Sequence, residues 1–221
     1  MQNLNYGVIG NCSTAALISE KGAIEWLSFP EFDSPSVFAA ILDRQKGGHF
    51  GFKVTSDYKV TQSYVPHTNI LSTHFESEEG AFDVVDFMPC YPTSDGKDFY
   101  RPAEIYRYIR WAKGRPHIKV DYRPAPNYAR GKTIYNVTSQ YVETYSSAEN
   151  KDRQYLYSSL DLKKVVNHDE ITLEKDEFFL FSFNEKVIPV DIEREKLEYC
   201  RTLVYWLNWT DHAKRYTRYN E

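Results

Sequence analysis

The side chains here that could do chemistry are carboxylates, histidines and thiols, and their spacing decides what they can do. Carboxylates recur as close pairs, Glu78-Glu79 and Asp83 with Asp86. Cutting a glycosidic bond needs two opposed carboxyl groups, about 5 Å apart in a retaining enzyme and about 6.5–9.5 Å apart in an inverting one. Neighbours in a turn or on one strand do not supply that opposition, so no catalytic dyad is assigned within the chain. His49, His67, His74, His117, His168 and His212 are scattered without ligand spacing. Cys12, Cys90 and Cys200 are odd in number and far apart, and no Cys-x-x-Cys pair accompanies them. That pattern argues against structural zinc and reads as free thiols in a reducing cytosol. Gly7-Val8-Ile9-Gly10 is an incomplete phosphate-binding glycine motif, and neither a GxSxG elbow nor an HExxH helix occurs. The expectation is therefore no cofactor and no metal. Asn-x-Ser/Thr triplets at Asn11, Asn136 and Asn208 read as chance matches.

Charge narrows the partners. The 221 residues carry 27 Lys plus Arg against 31 Asp plus Glu, a net charge of −4. A nucleic-acid binder would need a clustered basic surface, so none is expected as a partner. No apolar run reaches the length of a membrane span, and Met1 to Gly10 lacks the basic flank and apolar core of a signal peptide. A cytoplasmic location is the expectation. The 18 Tyr and 13 Phe, set against 2 Met and 10 Gly, favour strands over helices and exclude a disordered chain.

The elements that must position these groups read mainly as strands. Tyr6 to Ile9, Ala15 to Ser19 and Ala23 to Leu27 are short and apolar, with a turn at Lys21-Gly22. Phe29 to Pro35 holds two prolines, which lack a ladder donor, and is irregular. Ser34-Pro35-Ser36 ahead of an apolar run predicts a short helix over Ser36–Leu42, ended by Gly47-Gly48. Beyond Phe50 the period is two: Phe82 and Val84 share one face, Asp83, Val85 and Phe87 the other. Ile118, Val120 and Tyr122 alternate with His117, Lys119 and Asp121, and Phe179, Phe181 and Phe183 with Leu180 and Ser182. Turn signals at Glu79-Gly80, Ser94-Asp95-Gly96, Lys113-Gly114 and Asn167-His168-Asp169 separate them. Some dozen short strands so spaced predict a mainly β fold, a large antiparallel β-sandwich, over residues 1–190. From about Asp191 the period becomes helical, so residues 191–221 read as one long helix. Leu197, Cys200, Val204 and Leu207 form a stripe that Tyr199, Leu203 and Trp206 widen, and such a stripe must cover something. The chain turns polar at Asp211-His212-Ala213-Lys214-Arg215.

The first fifty residues are the most specific. They read Tyr6-Gly7-Val8-Ile9-Gly10-Asn11, Thr14-Ala15-Ala16-Leu17-Ile18, Gly22-Ala23-Ile24-Glu25-Trp26-Leu27 and Phe32-Asp33-Ser34-Pro35-Ser36-Val37-Phe38. In that order they resemble the opening of the bacterial and archaeal glucoamylase-like and trehalase-like proteins of glycoside hydrolase family 15. Phe82-Asp83-Val84-Val85-Asp86-Phe87-Met88-Pro89 looks like that family's strand into an Asp-Phe-Met-Pro corner. Asn11 and Glu25 depart from it, since the family has Asp at both places. The resemblance implies a β-sandwich of the supersandwich type, then a linker helix and an (α/α)₆ barrel. That barrel holds two glutamates, the general acid and general base of an inverting α-glucosidase acting on trehalose, malto- or isomalto-oligosaccharides. This chain stops at the linker helix, so no residue in it is expected to inherit a catalytic role. The implied partners are the catalytic barrel and the oligosaccharide substrate of a parent enzyme.

Within the chain the candidate substrate-binding residues are Phe29, Phe32 and Asp33 of the Phe29–Ser36 loop, where aromatic faces and a carboxylate suit a sugar. The competing reading is a packed turn in which Asp33 or Ser34 caps the following helix. Two other functions stay open: a stand-alone carbohydrate-binding module and a structural interaction domain. Self-association through the C-terminal helix is a further expectation.

Overall fold

The computed structural model describes residues 5–54 and 57–212, and at residues 149 and 150 the backbone alone. Ala213-Lys214-Arg215 of the expected polar end lies outside the described residues. The first half holds β1 (Tyr6–Gly10), β2 (Ala15–Ser19), β3 (Ile24–Ser28), β4 (Ser36–Phe38), β5 (His49–Val54), β6 (Lys59–Tyr64), β7 (Leu71–Glu76) and β8 (Gly80–Phe87). A short hairpin follows, β9 (Tyr91–Pro92) and β10 (Phe99–Tyr100). Then come β11 (Glu104–Gly114), β12 (His117–Arg123), β13 (Thr133–Val137), β14 (Val142–Ser146) and β15 (Glu149–Ser158). A one-turn helix, α1 (Leu162–Asn167), precedes β16 (Glu170–Thr172) and β17 (Glu177–Phe183), and α2 (Ile192–Asp211) closes the described chain.

The strands form two large sheets in which every pairing is antiparallel. One runs β1-β2-β3-β5-β12-β16 with β4 on β3, and the other runs β13-β14-β15-β17-β11-β8-β7-β6. This is the expected β-sandwich. The alternation in the sequence becomes the two faces of the eight-stranded sheet. Phe82, Val84, Ile105, Ile109, Phe179 and Phe181 point into the space between the sheets, with Phe38, Phe50 and Tyr122 of the facing sheet. Phe50 meets Phe179 and Tyr122 edge to face at 5.3 and 5.2 Å, a favoured geometry for aromatic quadrupoles. Val85, Phe87, Tyr106, Phe178 and Leu180 point the other way, into a second apolar layer under α2. The near-continuous apolar sequence of β8 and β17 therefore has a cause: both faces of their sheet are covered.

One charge pair sits inside the sandwich. Arg107 and Asp86 are both fully buried, joined by Nε–Oδ1 at 2.7 Å and Nη2–Oδ2 at 3.2 Å. Arg107 also donates to the carbonyls of Phe50 on the facing sheet and of Gly22 in its β2–β3 turn, and lies 4.7 Å over the Phe50 ring. The guanidinium thus has acceptors on both sheets, and truncating either ion would leave the other buried and unpaired.

The expected helix over Ser36–Leu42 does not form. Ser36–Phe38 is strand, pairing Leu27 with Phe38 and Ser28 with Ser36, and the chain then turns. A seven-residue segment is too short to stabilise its own helical nucleus, whereas pairing with β3 buries Val37 and Phe38 completely. Gly47-Gly48, read as a helix stop, instead closes that turn: Ala39 N–H donates to Gly47 O and Gly47 N–H to Asp43 O. A Cβ at Gly47 would collide with the Ala39 carbonyl. The α1 turn, capped by the Asp161 carboxylate on Lys163 N–H, was not legible in the pattern.

Candidate functional site

The three loop residues singled out in the sequence are not brought together. Phe29 is 1 % exposed and stacks on Phe181 at 6.0 Å, inside the core. Its ring face is closed to any ligand, which corrects the expectation for that residue. Phe32, 64 % exposed, and Asp33 stand in solvent. The loop is fixed by its backbone: Phe32 N–H donates to Ser13 O, Ser34 N–H to Glu31 O, and Ser34 Oγ accepts from Glu31 N–H. Ser34 therefore closes the turn, as the competing reading had it, although no helix follows.

A richer constellation lies where α2 crosses the outer face of the eight-stranded sheet. Asp191 caps the helix, accepting from Arg194 N–H at 2.8 Å. The stripe expected to be covered is turned outward: Leu197, Val204 and Leu207 are 48, 56 and 41 % exposed, and Cys200 is exposed. Ile192, Tyr199, Leu203 and Trp206 pack inward instead, Tyr199 edge-on to Phe87 at 5.8 Å. Rings bury more area than Val or Cys, so the sheet takes the Tyr–Trp face. With them go Glu195, Glu198 and Thr202, all buried.

These buried carboxylates are held unequally. Glu198 accepts from Tyr91 Oη at 2.7 Å and from Arg201 Nη1 at 3.2 Å. Glu104 accepts from Tyr106 Oη at 2.9 Å, and Arg194 Nη2 stands 3.9 Å from it. Burial raises the Glu104 carboxyl against the pull of Tyr106 and Arg194. Neither oxygen of Glu195 has a partner. Burial, then the charges of Asp86, Glu104 and Glu198, lift its carboxyl well above the ordinary range, with Arg194 opposing. Thr202 Oγ1 and Trp206 Nε1, on the same inward face, are also buried without partners.

Between the outward side of α2 and the β9–β10 hairpin runs a groove of about 1290 Å³. Tyr91, Tyr100, Tyr205 and Trp209 give it aromatic walls, and Glu198 and Arg201 are among its lining. Its carboxylate is already committed to a tyrosine and an arginine, so the arrangement suits binding rather than proton transfer. Sequence reading missed Glu104, Arg194, Glu198 and Arg201. The available signal was the three-residue spacing of Glu195, Glu198 and Arg201 among the ring positions of α2, which marks a second, polar-and-aromatic stripe.

Residues 5–151 match the family model described as trehalase-like, N-terminal. The chain belongs to that family. A trehalase of Thermoplasma volcanium is 36 % identical over 187 residues, 83 % of this chain and 27 % of that protein. Trehalase 1 of Sulfolobus acidocaldarius is 51 % identical over 85 residues, 38 % of this chain and 14 % of its own. The trehalase of Mycolicibacterium smegmatis is 25 % identical over 229 residues, 93 % of this chain and 34 % of its own. The chain thus spans about a third or less of the curated relatives it matches.

In this trehalase-like N-terminal domain the matched segment ends within β15, yet the sheet continues. Strand β17 lies between β15 and β11, so residues beyond the match complete the same sheet. The Asn11 departure is also explained locally. Asn11 is buried, its Oδ1 accepting from Ser13 and Thr14 N–H at 3.0 Å each and its Nδ2 donating to Pro102 O at 2.9 Å. A carboxylate could keep the first two bonds but not the third. Glu25 accepts from Tyr6 Oη at 2.6 Å.

Proposed function

We propose that this chain is the N-terminal accessory sandwich of a family 15 glycoside hydrolase of trehalase or glucoamylase type, working in the cytoplasm and bracing a catalytic (α/α)₆ barrel. The parent would hydrolyse α-glucosidic bonds, its barrel supplying the acid that protonates the leaving oxygen and the base that activates water on the opposite face. The observation that carries the reading is the orientation of α2, apolar on its outward stripe and polar on part of its buried one. Leu197, Val204 and Leu207, each about half exposed, would gain roughly half of the 1.5–3 kcal/mol that complete burial of such a side chain gives, and Trp209 stands exposed beside them. The barrel is the natural cover, and without it a second copy of the chain would take its place. Phe32 and Asp33, free in solvent, would stand at the rim of the sugar pocket.

The test is Val204→Glu with Leu207→Glu. In the isolated chain, sedimentation should show concentration-dependent association for the wild type and a monomer for the variant, with equal melting temperatures only at dilutions where both are monomeric. In the protein read from the complete gene, the pair should lower the melting temperature and trehalose hydrolysis together. A wild-type chain monomeric at high concentration, with a full-length variant of normal activity, would overturn the docking role. Glucose release by the isolated chain from trehalose, maltose or isomaltose, lost on replacing one of its carboxylates, would overturn the accessory assignment.

A second reading, a free carbohydrate-binding module, is favoured by the aromatic walls of the groove beside α2. Calorimetric titration with trehalose and malto-oligosaccharides separates the two, because only the module binds sugar without a barrel.

A further inference from the structure

The outer face of the seven-stranded sheet, away from α2, carries a concentrated positive site. Its centre is Asp121 on β12, only 5 % exposed. Lys53 Nζ and His49 Nε2 each lie 2.8 Å from Oδ2, and Arg123 Nε lies 2.6 Å from Oδ1. His168, at the end of α1, places Nδ1 3.9 Å from the same carboxylate while bonding Val120 O at 2.8 Å. The cross-strand register of β5 and β12 causes this gathering: Arg123 faces His49 and Lys119 faces Lys53, so alternate outward positions of both strands converge on one carboxylate.

Above Asp121 the surface opens into a cavity of about 550 Å³, with Arg44 and Lys46 on its wall beside His49, Lys53 and Arg123. Among the described residues neither Arg44 nor Lys46 has a carboxylate within ion-pair distance. Arg123 engages Asp121 through Nε, which leaves its two terminal nitrogens for another acceptor. Asp43 stands in the same turn, but its Oδ1 is taken by the Gln45 and Lys46 N–H groups. Arg44, Lys46, Lys53 and Arg123 are therefore four permanent cations, set against the carboxylates of Asp121 and Asp43 and, on the Arg44 side, the hydrogen-bonded Tyr6–Glu25 pair. The lining of the open cavity is net positive.

We propose that this cavity binds a small dianion, a phosphate group either free or as a monoester. A phosphate monoester carries about −1.5 to −2 at neutral pH, a charge that a net-positive lining attracts. A guanidinium presents its terminal donors as a fork suited to two phosphate oxygens, and ammonium groups add point charge around it. Asp121 has a positioning role: it anchors Lys53, His49 and Arg123 on the floor and sets the direction of that fork. The cavity exceeds the volume of the phosphate group alone, so the organic part of an ester has room. This site lies apart from the docking surface on α2 and stands or falls independently of it.

The experiment is calorimetric titration and thermal melting of the full chain with inorganic phosphate and, separately, glycerol 1-phosphate, against sodium chloride at matched ionic strength. One saturable site is expected, with a rise in melting temperature of a few degrees at saturation. Arg44→Glu with Lys46→Glu, which breaks no ion pair of the floor, should weaken phosphate binding at least tenfold and leave the melting temperature in chloride unchanged. Arg123→Lys should keep the charge and lose affinity, because it removes the fork. Tighter binding of the ester than of phosphate would support a site that also holds the organic part. Stabilisation equal in chloride and phosphate, or saturable binding that survives the Arg44/Lys46 variant, would overturn the proposal.

Discussion

Glu195 should be the costliest side chain under α2, and replacing it should stabilise the protein in a way that grows with pH. The carboxyl is 1 % exposed with both oxygens unpartnered, packed beside Arg194 and near Glu104, Glu198 and Asp86. A buried polar group without partners costs about 1–3 kcal/mol even when neutral. Its raised native proton affinity adds a pH term. In the unfolded chain a glutamate titrates near 4.3, on the order of its free value. Below that both states hold the proton, and the term vanishes. Above it the unfolded state releases a proton that the folded state keeps. Stability then falls by about 1.4 kcal/mol per pH unit until pH passes the raised native value. Glu195→Gln has no such slope.

The assay is urea unfolding of wild type and Glu195→Gln at half-unit steps from pH 4.5 to 8, followed by tryptophan fluorescence. Taking the difference between the two cancels most of what the other carboxylates contribute. The gap should widen with pH by about 1.4 kcal/mol per unit, or roughly 3–6 °C in melting temperature for a chain of this size, and level off where pH passes the raised native value. Glu195→Leu, which also removes the unpartnered oxygens, should be more stable than wild type at every pH above 4.5. A gap independent of pH, or a Leu variant less stable by 1 kcal/mol or so, would refute the reasoning and mean that the carboxylate has a partner.

Three further outcomes are expected. Burial works to raise the Asp121 carboxyl, but Lys53, Arg123 and His49 outweigh it and hold it well below the carboxylate range. Its stabilisation is thus present above about pH 4, the unfolded value, and lost only as pH falls through the depressed native one. In melting curves from pH 7 to 2, Asp121→Asn should be less stable at pH 7 and show a flatter acid limb. Asn11→Asp, which restores the side chain usual in family 15, should cost about 1–3 kcal/mol here, because the donor to Pro102 O is lost and a carboxylate faces that carbonyl; an unchanged melting temperature would disprove that. Burial pushes the Cys90 thiol up to about 11, so at pH 8 a maleimide, which cannot be displaced by the neighbouring thiol, should label exposed Cys12 and Cys200 promptly and Cys90 only after unfolding.

What was legible in the sequence follows from which periodicities are unambiguous. A period of two has one solution: once Phe82 and Val84 share a face, Val85 and Phe87 must share the other, and both faces found apolar cover. Turn glycines were equally readable, since Gly22, Gly96 and Gly114 all take positive φ. Ser36–Leu42 was misread because local signals for a helix start, serine before proline, cannot register a neighbouring strand; β3 supplied the pairing that decided it.

The helix was harder for a different reason. A helical period places every residue on some face but does not say which face wins when two are apolar. In α2 the stripe of Leu197, Val204 and Leu207 competes with that of Ile192, Tyr199, Leu203 and Trp206, and the second takes the sheet at the cost of carrying Glu195 and Thr202 inside. A helix that needed only to seat on its own sandwich would have no use for the first stripe. Two apolar faces with one sheet to cover is what the proposed docking of α2 on a barrel would require. The candidate site went unseen for the same reason, since Glu198 and Arg201 belong to the stripe that a single-face reading assigns to solvent. Phe29, by contrast, was chosen for its ring, and the ring is what the core required.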